Sequence, residues 1–136
     1  MTWDIFVQDM PFGLTHAREI PRTFRPRPLG ERTELINRIV EFEPAADFSD
    51  PSWGHLQQPS FLVEFNLGQG AIVDAFALHV RGADEARLFV SALLDYLGFR
   101  AFDPRADSGL FLTAGNALTS LHRWRQYRAR SQPQGA

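Results

Sequence analysis

Between Phe61 and Arg81 the chain carries two runs that alternate apolar and polar residues with a period of two, joined by a short glycine-bearing link. In the first, Phe61, Val63, Phe65 and Leu67 share one phase, and Leu62, Glu64 and Asn66 share the other. In the second, Ile72, Asp74, Phe76, Leu78 and Val80 alternate with Val73, Ala75, Ala77, His79 and Arg81. Successive side chains of a strand point to opposite faces, so this pattern commits one face to a core and leaves the other free. It rules out an all-helical fold and predicts a hairpin about Gly68-Gln69-Gly70. Asp74 falls on the apolar phase, which a strand beginning after it would resolve.

The remaining periodicities supply the partners of that hairpin. Trp3, Ile5 and Val7 alternate with Asp4, Phe6 and Gln8, as in a half-buried strand. A helix is expected from about Glu31 to Phe42, with Leu35, Ile36, Ile39 and Val40 as its apolar stripe and Pro44 ending it. A second should run from Ala83 or Asp84 to Leu97, closed by Gly98 in the left-handed conformation with Phe99 beyond it. Arg100 to Asp103 and Leu110 to Thr113 read as short extended pieces about a turn, and a last helix from about Asn116 to Arg130 carries Leu118, Leu121 and Trp124. Asp9 to Gly30, with Pro11, Pro21, Pro26 and Pro28, should be a long loop pinned by Phe12, Ile20, Phe24 and Leu29. Ala45 to Pro59 should be another, anchored by Phe48, Trp53 and Leu56. The order of elements predicts an α+β fold, a ferredoxin-like split βαβ sandwich (βαββαβ) with an extra C-terminal helix. A single domain should occupy residues 1–130, with a disordered tail at 131–136.

Composition removes several functions. Of 136 residues, 44% are hydrophobic and 22% charged, the balance of a globular chain with a core rather than a disordered one. The absence of cysteine removes a disulfide framework, a thiolate zinc site and a thiol nucleophile, and suits a reducing compartment. With neither a signal-like start nor a membrane-length apolar run, the expected location is cytoplasmic and no membrane partner is expected. The net charge of −2 gives no global reason for nucleic-acid binding, although all 14 basic residues are arginine, the side chain suited to interfaces.

The segments WDIFVQDMP, ADFSDPSWG, FALHVRG and LGFRAFDPRADSGLF resemble, in this order, a group of short uncharacterised bacterial proteins, with the likeness covering most of residues 3 to 112. That group brings no activity with it. A looser, architectural likeness is to the small immunity proteins of bacterial toxin systems, which implies a cytoplasmic inhibitor that occludes a toxin enzyme.

Candidate sites follow from the polar phase of the sheet. If Phe61, Val63, Phe65, Phe76, Leu78 and Val80 meet the helices, then Asp4, Gln8, Glu64, Asn66, Ala75, Ala77, His79 and Arg81 face away. This face is either merely solvated, or covered by the last helix, or a recognition surface. The expected partner is a protein, with Arg22, Arg25, Trp53, Glu64, His79 and Arg81 as contacts. Edge strands leave a homodimer by strand pairing open as an alternative. No catalytic motif is present, and neither a cofactor nor a metal site is expected, since His16, His55, His79 and His122 lack zinc-site spacing. A polar pocket around His79, using Asp47, Asp50 and Glu64, is the alternative for a small ligand or an enzyme. The third reading is nucleic acid on the last helix, where Arg123, Trp124, Arg125, Arg128 and Arg130 mix cations with a ring able to stack. Cations also suit a helix C-terminus, and Trp124 continues the apolar stripe, so nucleic acid is the weaker expectation.

Overall fold

A computed structural model describes residues 2–113, 122–127 and 129. Strand β1 (Thr2–Gln8) realises its alternation, with Trp3, Ile5 and Val7 buried and the residues between them turned outward. A single 3-10 turn (Ala17–Glu19) lies within the long connection that follows, which ends in β2 (Gly30–Glu31) and α1 (Arg32–Phe42). Next come β3 (Trp53–Gln57), β4 (Leu62–Asn66), β5 (Ile72–Val73), β6 (Ala75–Arg81), α2 (Asp84–Leu97), β7 (Arg100–Phe102) and β8 (Leu110–Phe111). The fold is therefore α+β, as expected.

Six strands make one sheet in the order β3-β4-β6-β1-β7-β8, and each pairing is antiparallel. β2 and β5 form a separate two-stranded ladder. Helices α1 and α2 cover one face. Leu35, Ile39 and Phe42 from α1 and Phe89, Val90, Leu93 and Leu94 from α2 join Ile5, Val63, Phe65, Leu78 and Val80 in one apolar cluster. Phe89 is its hub, with ring centroids at 6.0 Å from Phe42, 5.8 Å from Phe61, 6.3 Å from Phe65 and 5.1 Å from Trp124. Burial of each such side chain contributes about 1.5–3 kcal/mol.

The end of α2 is the expected glycine cap. Gly98 sits at φ 75°, its N–H donates to the Asp95 carbonyl, and the N–H of Phe99 reaches back to that of Leu94, the paired bonds of a Schellman motif. Arg38 ties the two helices together by donating from Nη2 to the Leu97 carbonyl at 2.9 Å.

Four expectations need correction. The stretch 45–59 is not all loop: β3 forms the sheet edge, and its Gly54 permits close packing, since a Cβ there would lie 2.3 Å from the Phe48 ring. The second run is not one strand. β6 begins at Ala75, directly after Asp74, whereas Ile72 and Val73 leave the sheet to pair with Glu31 and Gly30. The phase reverses there, so that Val73 is buried and Ile72 is exposed. The long loop is not wholly irregular, and Phe12 does not pin it, being 86% exposed with its ring over the Arg100 guanidinium. Finally, the described part of the last helix does not cover the open face. Within the described residues 122–127, Trp124 packs edge-on against Phe61 and Phe89 on the helical side. The start of that helix near Asn116, Arg128, Arg130 and the 131–136 tail lie outside the described residues.

Candidate functional site

The free face of the sheet is built by register. Across β3, β4, β6 and β1, His55 stands opposite Glu64, Glu64 opposite His79, and His79 opposite Asp4, a row of alternating imidazoles and carboxylates. The row beside it runs Trp53, Asn66, Ala77, Phe6, Phe102. Beyond the first row lie Gln57, Leu62, Arg81 and Thr2. One side chain in two along each strand reaches this face, so residues far apart in the chain become neighbours.

Direct bonds fix the centre. Trp53 donates from Nε1 to Glu64 Oε2 at 2.6 Å, and its ring stacks on His79 with centroids 5.4 Å apart and planes 15° from parallel. His79 Nδ1 lies 2.7 Å from Asp4 Oδ1. An ionised carboxylate only accepts, so Nδ1 carries the proton and donates, and in the neutral ring Nε2 keeps an acceptor lone pair. Glu64, Trp53, His79 and Asp4 thus form one chain of contacts across four strands. Their side chains remain accessible, and Trp53 is 40% exposed.

Beside this chain lies an open depression of about 600 Å³ lined by Phe6, Gln8, Asn66, Ala75, Ala77 and Phe102, among others. Its floor is low because Ala75 and Ala77 carry only methyl groups where their neighbours carry rings. Phe6, 42% exposed, forms one wall.

The segment leading into β3 holds the sheet edge. Asp47 N–H donates to the His55 carbonyl at 2.8 Å, and His55 N–H donates to that of Asp47 at 2.9 Å. The Asp47 carboxylate accepts from the hydroxyl and N–H of Ser49, and the Asp50 carboxylate from those of Ser52. These bonds favour the ionised form and hold both carboxyls below the ordinary aspartate range. Glu19 is lowered similarly, by the N–H and hydroxyl of Thr15 and the N–H of His16.

Of the expected partner contacts, Trp53, Glu64 and His79 come together directly, and Arg81 lies two residues from His79 on the same face of β6. Arg22 and Arg25 do not join them by any described contact. They are exposed in the proline-bearing loop, where Arg25 Nη1 donates to the carbonyls of Arg22 and Phe24. The enzyme-like grouping fares differently, because Asp47 and Asp50 are engaged in turns ahead of β3 rather than converging on His79. Among the described residues, no group of three or more His, Cys, Asp or Glu side chains could hold a metal ion. Trp124, assigned to base stacking on the nucleic-acid reading, is 1% exposed between Phe61, Phe89 and Tyr127, so its ring is not available to a base. Arg123 and Arg125 are exposed beside it.

Sequence reasoning missed Asp4 as the partner of His79, and Phe6 and Phe102 as walls of the depression. For Phe6 a signal existed: it is a large apolar residue on the polar phase of β1. No helix among the described residues is long and apolar enough to cross a membrane. Comparison with family models, with curated proteins and with solved structures finds no match to the chain.

Proposed function

We propose that this protein is a non-enzymatic cytoplasmic binding module that docks a protein partner on the open face of its sheet. One observation carries the reading: Glu64, Trp53, His79 and Asp4 are fixed by each other rather than by burial, so they are both ordered and accessible. Side chains held in one geometry before binding lose little freedom on contact, and exposed Trp beside a hydrogen-bonded charge is typical of the anchors that dominate interfaces. The open depression favours a convex protein surface over an enclosed small molecule. We read the architecture as a ferredoxin-like split βαβ sandwich, to which the β4-β6-β1-β7 order lends support, with β3 and β8 added at its borders. An immunity-like inhibitor of a toxin is one form such a module would take. Arg81 extends the contact surface, and the remoter Arg22 and Arg25 belong to it only if the partner also spans the loop.

The test is affinity capture followed by reconstitution. A partner captured by the native protein is identified, purified and titrated against Ala77→Arg, which fills the depression, and against Arg125→Ala on the helical side. Binding lost with the first and kept with the second supports the reading. Equal affinity for native protein and Ala77→Arg overturns it. The small-ligand alternative, expected around His79, would have to use this depression instead, which Gln8 and Asn66 line and His79, Asp47, Asp50 and Glu64 do not; it would be favoured if the species lost with Ala77→Arg were a low-molecular-weight compound.

A further inference from the structure

We infer that the partner presents a basic segment to this face and that one of its arginine side chains is held at the Trp53–His79 stack by Glu64 and Asp4; this rests on the binding-face reading above.

The charge pattern of the face points there. Two carboxylates, Glu64 and Asp4, stand in one row on either side of His79, and a third, Asp47, ends the row with its Oδ2 3.7 Å from His55 Nε2. Each of the first two is oriented by a donor that need carry no charge, Glu64 by the indole N–H and Asp4 by His79. Among the described residues neither meets an arginine, and the chain contains no lysine. Their negative charge is thus positioned but not neutralised by a permanent cation. The cations of this face lie to either side: Arg81 falls in the row with Thr2 and Leu62, and Arg100 lies opposite Gln8 with its guanidinium 4.1 Å from the Phe12 ring centroid. The middle is acidic and the ends are basic.

An exposed indole bonded to a carboxylate is chemically matched to a guanidinium, which stacks on aromatic faces and donates in pairs to carboxylates. The neighbouring depression, with its alanine floor and phenylalanine wall, can take an arginine stem or an adjacent apolar side chain. A single-stranded RNA could use the same rings for stacking. Its phosphates, however, would meet Asp4 and Glu64 at the only place where Trp53 and His79 come together, so the observations favour a basic polypeptide.

The probes are an oligoarginine peptide, an oligoglutamate peptide and a single-stranded RNA oligonucleotide, titrated calorimetrically into the full chain. The native protein should bind oligoarginine with an affinity that falls as salt rises. The double variant Asp4→Asn with Glu64→Gln should bind it about tenfold more weakly or worse, the loss expected for charged hydrogen bonds. Trp53→Ala should weaken binding too, and Arg22→Ala should not. Thermal melts confirm that each variant is folded, and Glu64→Gln alone serves if the double variant is not. Oligoarginine binding that survives the loss of both carboxylates overturns the inference, as does tighter binding of oligoglutamate or RNA. A captured partner that is sensitive to Ala77→Arg, together with no oligoarginine binding, removes the arginine inference and leaves the binding face standing. Failure of both removes both.

Discussion

On the covered face of the sheet, Ile5, Val63, Phe65, Leu78 and Val80 are fully buried and touch mainly other apolar side chains. On the open face, at the positions between them, Asp4, Glu64 and His79 stay accessible, and each is fixed by a hydrogen bond or a ring stack. The same strands thus achieve order in two ways. Exclusion of water holds the first set, and any apolar side chain of the right volume would serve there. Mutual contact holds the second set, and it depends on the identity of each group. The first arrangement stabilises the fold, and the second prepares a surface with a definite chemical character.

Substitutions can break this contrast, and the largest effect belongs to the covered face. Phe89→Ala removes the ring against which Phe42, Phe61, Phe65 and Trp124 pack and should cost about 3–5 kcal/mol in urea denaturation. Next is Trp3→Phe. Trp3 Nε1 donates at 3.0 Å to Asp103 Oδ1, a carboxylate that is itself buried, and removal of that donor should cost about 1–3 kcal/mol by the same measurement. On the open face, His79→Ala should change stability by about 0.5 kcal/mol or less while abolishing partner binding. A large loss of stability from His79→Ala would show that the open face is part of the scaffold and would erase the distinction. The smallest effect concerns pH. Asp47 and Asp50 are held below the ordinary aspartate range in the folded chain, so the stability they contribute is present above that range and is lost as the pH falls through their lowered values. Ser49→Ala removes the hydroxyl, the chief donor to Asp47, while keeping the backbone N–H, and should flatten the acid limb of a melting-temperature profile; an unchanged profile would refute this.

Much of the covered face was legible from the sequence because it obeys simple periods. The three alternating runs gave the strands at the middle of the sheet, the i, i+4 stripes gave both helices, and Gly98 marked the end of α2. The polar phase also assigned Asp4, Glu64, His79 and Arg81 correctly to the open face. What failed was local. β3 escaped notice because Gly54 stands where a large inward side chain would signal a strand, and the space is taken instead by Phe48 from another segment. β5 escaped because a two-residue ladder has no period, and its partner, Gly30–Glu31, lies forty residues upstream. The chain of contacts from Glu64 to Asp4 depended on register, which alternation does not set, and on the placement of Trp53 in β3 rather than in a loop.

The bridge between Asp47 and His55 has a wider consequence. By occupying both backbone groups of His55 it denies the outer border of β3 to an incoming strand, and the opposite border is only two residues long, with Leu110 N–H already donating to the Ser108 hydroxyl. Borders this short and partly occupied disfavour lateral pairing with another strand. Docking on the open face, as proposed above, would by contrast be self-limiting, because the first partner seated there covers the surface that a second would need.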